Sequence, residues 1–165
     1  MFYTGSAGCG KSTILKAFVR ELSARHKRVK IVAPTNLAAL NVNGQTTWNY
    51  AGWTPDSMRK PLKRLMDAAH GQEVWNRFDS TDVLVVDEIS MVENLVFERL
   101  NAIMKYSIGE KRGGGAFGGV QVIVTGDVSS KPTFSDPLLS IAVLPVGTRE
   151  AIQALYRVWL GARPG

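Results

Sequence analysis

The chain has 165 residues and carries 20 lysines and arginines against 14 aspartates and glutamates, a net charge of +6. That length fits one domain, and a composition 45% hydrophobic and 21% charged excludes wholesale disorder. No apolar run approaches the roughly 18–20 residues a membrane span requires, no signal-peptide pattern opens the sequence, and the lone cysteine, Cys9, cannot close an internal disulfide. The expectation is a soluble, intracellular, single-domain protein, with the basic balance a weak pointer to a polyanionic partner.

Phe2–Thr4 reads as the end of a strand. Residues 11–25 follow with apolar side chains at Ile14, Leu15, Phe18 and Leu22, a helical stripe. Val29–Ala33 is a β-branched run stopped by Pro34, hence a second strand. Residues 37–40 read as a short helix before an Asn43-Gly44 turn. Residues 48–60, rich in aromatics and closed by Pro55 and Pro61, read as irregular. A helix is expected over 61–70, with proline tolerated in its first turn. Val83–Val86, between Asp82 and Asp87, is apolar on both faces, as a buried parallel strand must be. Residues 93–106 return to helical spacing through Val96, Leu100, Ile103 and Met104. The glycine-rich 113–119 reads as a flexible loop, and 120–125 as a further buried strand. Strands alternating with helices predict an α/β fold with a largely parallel sheet and right-handed crossovers.

Gly5-Ser6-Ala7-Gly8-Cys9-Gly10-Lys11-Ser12 matches the phosphate-loop pattern G-x-x-x-x-G-K-[ST] without a gap. Its glycines let backbone N–H groups curl around phosphate oxygens, and the helix starting near Lys11 aims its positive end at them. Lys11 is expected on the β/γ phosphates and the Ser12 hydroxyl on Mg²⁺, with Thr13 completing the ATP-binding run. Cys9 reads as a small side chain at a variable loop position, though a helix N-terminus also lowers a thiol pKa.

Asp87-Glu88 follows the buried strand directly. A carboxylate there can reach the Mg²⁺ shell, the role expected of Asp87, while Glu88 is placed to orient or deprotonate the attacking water. Read without the phosphate loop, the same pair is a helix N-terminus favoured by the dipole. Trp48, Tyr50 and Trp53 either stack on bases or pack under a long loop. Two basic groups, Lys27, Arg28 and Lys30, then Arg59, Lys60, Lys63 and Arg64, either track phosphates or form a solvated face.

Phe2–Thr4 with the glycine loop, Ala33-Pro34-Thr35 with Ala38-Ala39-Leu40-Asn41, Gly44-Gln45-Thr46-Thr47-Trp48, residues 82–92 (DVLVVDEISMV) and 118–127 (GGVQVIVTGD) occur in order along the chain. Together they resemble the Pif-one family of eukaryotic DNA helicases, relatives of the bacterial RecD enzymes. The resemblance implies a RecA-like ATP-binding domain with a largely parallel sheet, and an ATP-driven motor moving 5′ to 3′ on single-stranded DNA in replication, telomere maintenance, repair and recombination. It implies action in the nucleus or the mitochondrion. By position, Lys11 and Ser12 bind phosphate and Mg²⁺, Asp87 binds Mg²⁺, Glu88 is the catalytic carboxylate, Pro34 and Thr35 match the first DNA-contacting motif, and Trp48 stands near the DNA.

The chain departs from that pattern in three places. Asn36 replaces the glycine usual after Pro-Thr, a mild change because asparagine tolerates positive φ. Gly126-Asp127 continues as Val128-Ser129-Ser130-Lys131, so Ser130 stands where the family's glutamine senses the γ-phosphate. Residues 128–165 do not resemble the family, which predicts a 1–127 ATP-binding unit, truncated at its start, followed by a tail of other origin. Without a second motor domain and its arginine finger, the chain is expected to be an incomplete motor; the alternative is a non-catalytic ATP- or DNA-binding regulator of a full-length helicase. Val128-Ser129 is also what GTAAGT or GTGAGT encodes, the form of an intron donor site. If the tail is translated intron, genomic sequence at codons 128–129 will show a GT-AG intron with a family-like exon beyond it; uninterrupted coding sequence removes the idea.

Overall fold

The computed structural model describes residues 2–4, 11–126 and 143–145. In chain order its elements are β1 (Phe2–Thr4), α1 (Lys11–Ala24), β2 (Val29–Ala33), α2 (Asn36–Asn41), β3 (Gln45–Thr46), α3 (Thr47–Ala51), α4 (Leu62–Ala68), α5 (Gln72–Asp79), β4 (Val83–Val86), α6 (Asn94–Ile108), β5 (Gln121–Gly126) and β6 (Val143–Pro145). The strands form one sheet in the order β3-β2-β4-β5-β1-β6, with every neighbouring pair parallel. The expected α/β architecture is present.

Strand β4 shows why the sheet takes this form. All four of its residues are buried, and alternate side chains point to opposite faces. Val83 and Val85, with Ile123 of β5, pack against Leu15, Phe18 and Leu22 of α1. Leu84 and Val86, with Val32 and Val124, pack on the other face against a larger cluster containing Tyr50, Phe78, Phe97, Leu100 and Ile103. A strand flanked this way cannot alternate apolar with polar residues, so the uninterrupted Val-Leu-Val-Val run is the sequence such a position demands.

Three segments differ from the sequence expectation. The stretch 48–60 is not irregular: it holds α3 and a 3₁₀ turn, Pro55–Arg59. The Thr46 hydroxyl caps α3 by accepting from the Asn49 N–H at 3.1 Å, and Gly52 ends it in the left-handed region at φ 70°. Helix α5 lies where the sequence expectation names no element, although Val74, Trp75 and Phe78 form a short apolar stripe. Phe78 buries it against Tyr50, with ring centroids 5.2 Å apart, and Arg77 ties it to α3 by donating to the carbonyls of Asn49 and Tyr50.

The glycine-rich 113–119 is anchored rather than flexible at its second half. Phe117 is fully buried and its N–H donates to the Asn101 Oδ1 of α6 at 2.8 Å. Gly118 follows at φ 63°, so close to α6 that a Cβ there would lie 2.6 Å from the Met104 carbonyl oxygen. Glycine is the residue that fits both the backbone angle and the space. Asn36 opens α2 in helical conformation and is not among the positive-φ residues, so its replacement of glycine calls on no left-handed backbone.

The amino edge of the sheet is clamped by charge. Asp82 accepts from the Arg28 N–H at 2.9 Å and from its guanidinium at 2.8 and 3.0 Å, while Arg112 donates to the carbonyls of Thr81 and Asp79 at 2.8 and 2.6 Å. The Arg28 side chain holds the Asp82 carboxyl down at about 2. A carboxyl whose folded value lies below its unfolded one adds stability that is complete above pH ~4 and lost as pH falls through the folded value. Asp82→Asn is therefore expected to lower the Tm at pH 7, with the gap to the parent chain closing between pH ~4 and ~2; thermal unfolding followed by circular dichroism across that range measures it.

Candidate functional site

In a parallel sheet every strand ends on the same edge, and the pairing places the sequence-predicted residues there. Thr4, the last residue of β1, pairs with Gly126, the last of β5; Val86 of β4 lies beside Val124 of β5 and Val32 of β2. Asp87, Pro34 and Thr35 follow directly on these strand ends. Ligands of open α/β sheets bind outside this carboxyl edge.

Helix α1 brings the remaining candidates to the same place. Its last turn leads through Arg28 into β2 at the amino edge, where Asp82 holds it. Fourteen residues rise about 21 Å, so the first turn stands at the opposite, carboxyl edge. Ser12 and Thr13 in that turn are exposed. Gly5, Ser6, Ala7, Gly8, Cys9 and Gly10 and the Lys11 side chain lie outside the described residues, in the stretch between the end of β1 and the start of α1.

Asp87 continues the alternation of β4 by one residue, which puts it on the face of Val85 and therefore of α1. It is buried, its N–H donates to the Val32 carbonyl at 2.8 Å, and its Oδ1 accepts a hydrogen bond from the Thr125 hydroxyl. Glu88 then takes a left-handed conformation, φ 51° and ψ 47°, and leaves the strand direction half-buried. That conformation costs a non-glycine residue about 1–3 kcal/mol, and such strain persists where the surroundings fix it. Here the 3₁₀ turn Ile89–Met91 fixes it: Met91 N–H donates to the Glu88 carbonyl at 2.9 Å, and Ile89 is buried. Gly126 gives that turn room, because a Cβ there would stand 3.0 Å from Ile89 Cγ2.

The second group lies on the far side of β4. Pro34, Thr47 and Trp48 line a groove of about 260 Å³ with Met91, Val92, Glu93 and Val96. Trp48 is half-buried, and Met91 is exposed at its rim. Thr35 is exposed, and its hydroxyl caps α2 by accepting from the Ala38 N–H at 3.2 Å. Pro34 and Trp48, 14 positions apart, meet because β3 pairs with β2 through Ala33 and Thr46.

Other candidates separate from the site. Tyr50 is fully buried with its hydroxyl donating to Thr81 at 3.1 Å, and burial pushes that hydroxyl up to about 12; Trp53 is buried too. Both are core residues, so stacking on bases is excluded for them. Arg28 is bound to Asp82 at the amino edge, away from Pro34 and Thr35. Lys30 instead joins Lys16 and Arg20 around a separate groove on the α1 side. Arg59, Lys60, Lys63 and Arg64 are exposed, Arg59 beside Asp56 at 3.9 Å. Sequence reasoning did not single out Thr125. Its one signal was a hydroxyl at the end of an otherwise apolar buried run, Val122-Ile123-Val124-Thr125.

The PIF1-like helicase family model matches residues 1–135. The chain belongs to that family. It is 35% identical over 137 residues to the ATP-dependent DNA helicase PIF1 of Emericella nidulans, covering 80% of this chain and 18% of that protein. The crystal structure of Pif1 helicase from Candida albicans superposes with a TM-score of 0.73 at 28% identity, covering 98% of this chain and 39% of that one. Bacteroides Pif1 bound to single-stranded DNA superposes at 0.60 with 26% identity, covering 95% and 32%. The sheet and its helices are thus the RecA-like α/β fold that the PIF1-like family resemblance implied. The family match runs past the boundary expected at residue 127, and a 30% identical alignment with Pif1 of Psychrobacter sp. covers 98% of the chain. Asp127 and Ser130 lie outside the described residues.

Proposed function

We propose that this chain binds and hydrolyses ATP with Mg²⁺ at the carboxyl edge of its sheet, and contacts single-stranded DNA along the groove of Pro34, Thr35 and Trp48, as the nucleotide-binding part of a DNA helicase. The observation that carries the reading is one of placement. Asp87 continues a central strand on the face covered by α1, Glu88 turns away directly after it, and the first turn of α1 holds Ser12 at the same edge.

In this reading the backbone of Gly5, Ser6, Ala7, Gly8, Cys9 and Gly10 cradles the phosphates, with Lys11 on the β/γ oxygens and Thr13 beside them in the first helical turn. The Ser12 hydroxyl and the Asp87 carboxylate are hard oxygen donors of the kind Mg²⁺ takes, and they offer it few protein ligands, leaving room for nucleotide phosphates and water. Bound there, the cation neutralises charge developing on the transferred phosphoryl group. Glu88 accepts a proton from the attacking water.

The DNA groove sits one strand away from this centre. Pro34 and Trp48 offer flat apolar surface to a base, and Glu93 at the rim disfavours phosphate there. The named relatives are ATP-dependent DNA helicases, and a solved relative is bound to single-stranded DNA, which supports the assignment of both ligands. The chain spans less than a fifth of the length of the E. nidulans relative, so unwinding is assigned to a larger assembly of which this edge supplies the nucleotide.

ATP turnover of the purified chain, with and without single-stranded DNA, tests the reading. Turnover stimulated by DNA and reduced about 10²-fold or more by Lys11→Ala is the expected result; nucleotide binding without turnover points to a regulator instead, and indifference to DNA removes the motor reading. Trp48→Ala is expected to weaken oligo(dT) binding by about 1–3 kcal/mol in a fluorescence anisotropy titration, whereas Tyr50→Phe, altering only a core hydroxyl, leaves it unchanged.

A further inference from the structure

We propose that Thr125 is the positioning residue for Asp87: its hydroxyl holds one carboxylate oxygen so that the other is presented to the nucleotide's divalent cation. The inference rests on the assignment of Asp87 made above and extends it to a residue on a different strand.

Both partners are enclosed, Thr125 at 1% and Asp87 at 5% exposure. Beyond the Val86–Val124 pairing they occupy the next level of β4 and β5, on the α1 face. The Thr125 hydroxyl donates to Asp87 Oδ1, while the Asp87 backbone is held by Val32. Among the described residues, Oδ2 takes no hydrogen bond. A hydroxyl has one proton to give, and a carboxylate has lone pairs on both oxygens. The arrangement therefore satisfies one oxygen and leaves the second as a hard donor of defined direction.

Packing alone does not call for threonine here. Its neighbours in β5 are Val122, Ile123 and Val124, and valine has nearly the same shape and a higher preference for buried strands. What valine lacks is the donor. Without it the Asp87 side chain keeps its place in the chain but loses the contact that selects its rotamer. Residues that orient a metal ligand from behind typically change metal affinity by about 10–100-fold when removed.

The test is binding of Mn²⁺, an electron-spin-resonance-visible stand-in for Mg²⁺, to the full chain in the presence of ADP, so that no turnover is needed. Thr125→Val is expected to raise the half-saturating Mn²⁺ concentration about tenfold or more, and Thr125→Ser, which keeps the hydroxyl, to stay within about twofold of the parent. In an Asp87→Asn background the Thr125→Val effect should vanish. Should Thr125→Val fail to fold by circular dichroism, Thr125→Cys, of similar bulk and with a much weaker donor, takes its place in the same comparison. Unchanged Mn²⁺ binding in a folded donor-lacking variant overturns the proposal, even if its Tm falls, since that is the mark of a structural contact alone. A parent chain that shows no ADP-dependent Mn²⁺ binding overturns the site assignment itself, and this proposal with it.

Discussion

Covering a sheet on both faces leaves its central strand, β4, no space for a polar group. Val83, Val85 and Ile123 are taken by α1, and Leu84, Val86 and Val124 by the helices opposite. Polar chemistry is thereby confined to the two edges, where strands emerge from the core. At the carboxyl edge β4 emerges as Asp87, and the cost of a buried carboxylate is offset by the Thr125 hydroxyl and by continuation of the backbone ladder to Val32. Everything assigned to the site depends on this transition from Val86 to Asp87.

The two edges serve different purposes. Arginines stitch the helices and the amino edge together: Arg28 to Asp82, Arg112 to the carbonyls of Thr81 and Asp79, Arg77 to the end of α3. Arg112 and Arg77 donate to carbonyls at helix ends and turns, where the helix ladder supplies no donor, and Arg28 to a carboxylate. The carboxyl edge has no such stitching among the described residues. It presents instead a strained Glu88, an exposed Ser12 and the groove of Pro34 and Trp48. Stability is concentrated away from the edge where ligands are assigned, and conformational strain is held beside them.

The elements legible in the sequence were those whose pattern is imposed by two-sided burial or one-sided helical packing. β2 and β4 read directly from β-branched runs, and α1 from Leu15, Phe18 and Leu22. What stayed illegible had its cause in distant contacts. The aromatics of 48–60 look alike as letters, yet Tyr50 is locked by Thr81 and Phe78 while Trp48 faces a groove formed with Pro34 and Met91. Helix α5 is largely polar and is held by distant partners: Phe78 against Tyr50, Val74 and Trp75 on the core, Arg77 reaching into α3, and Asp79 paired with Lys111. Phe117 hides among glycines, and only the Asn101 side chain and the Phe97 ring, 5.0 Å away, show that it is core.

By itself the sequence determined the α/β class, the family through its ordered motifs, and Lys11, Ser12, Asp87 and Glu88 as candidates, because those four stand out by local spacing around a glycine loop or a strand end. Only the tertiary structure decided which aromatics are core, which basic residues are clamps and which hydroxyl stands behind Asp87. Those are facts of strand pairing between residues as far apart as Asp87 and Thr125. The physical reason is that local spacing records the direction of a side chain relative to its own backbone, whereas a buried polar group is defined by the partner that satisfies it.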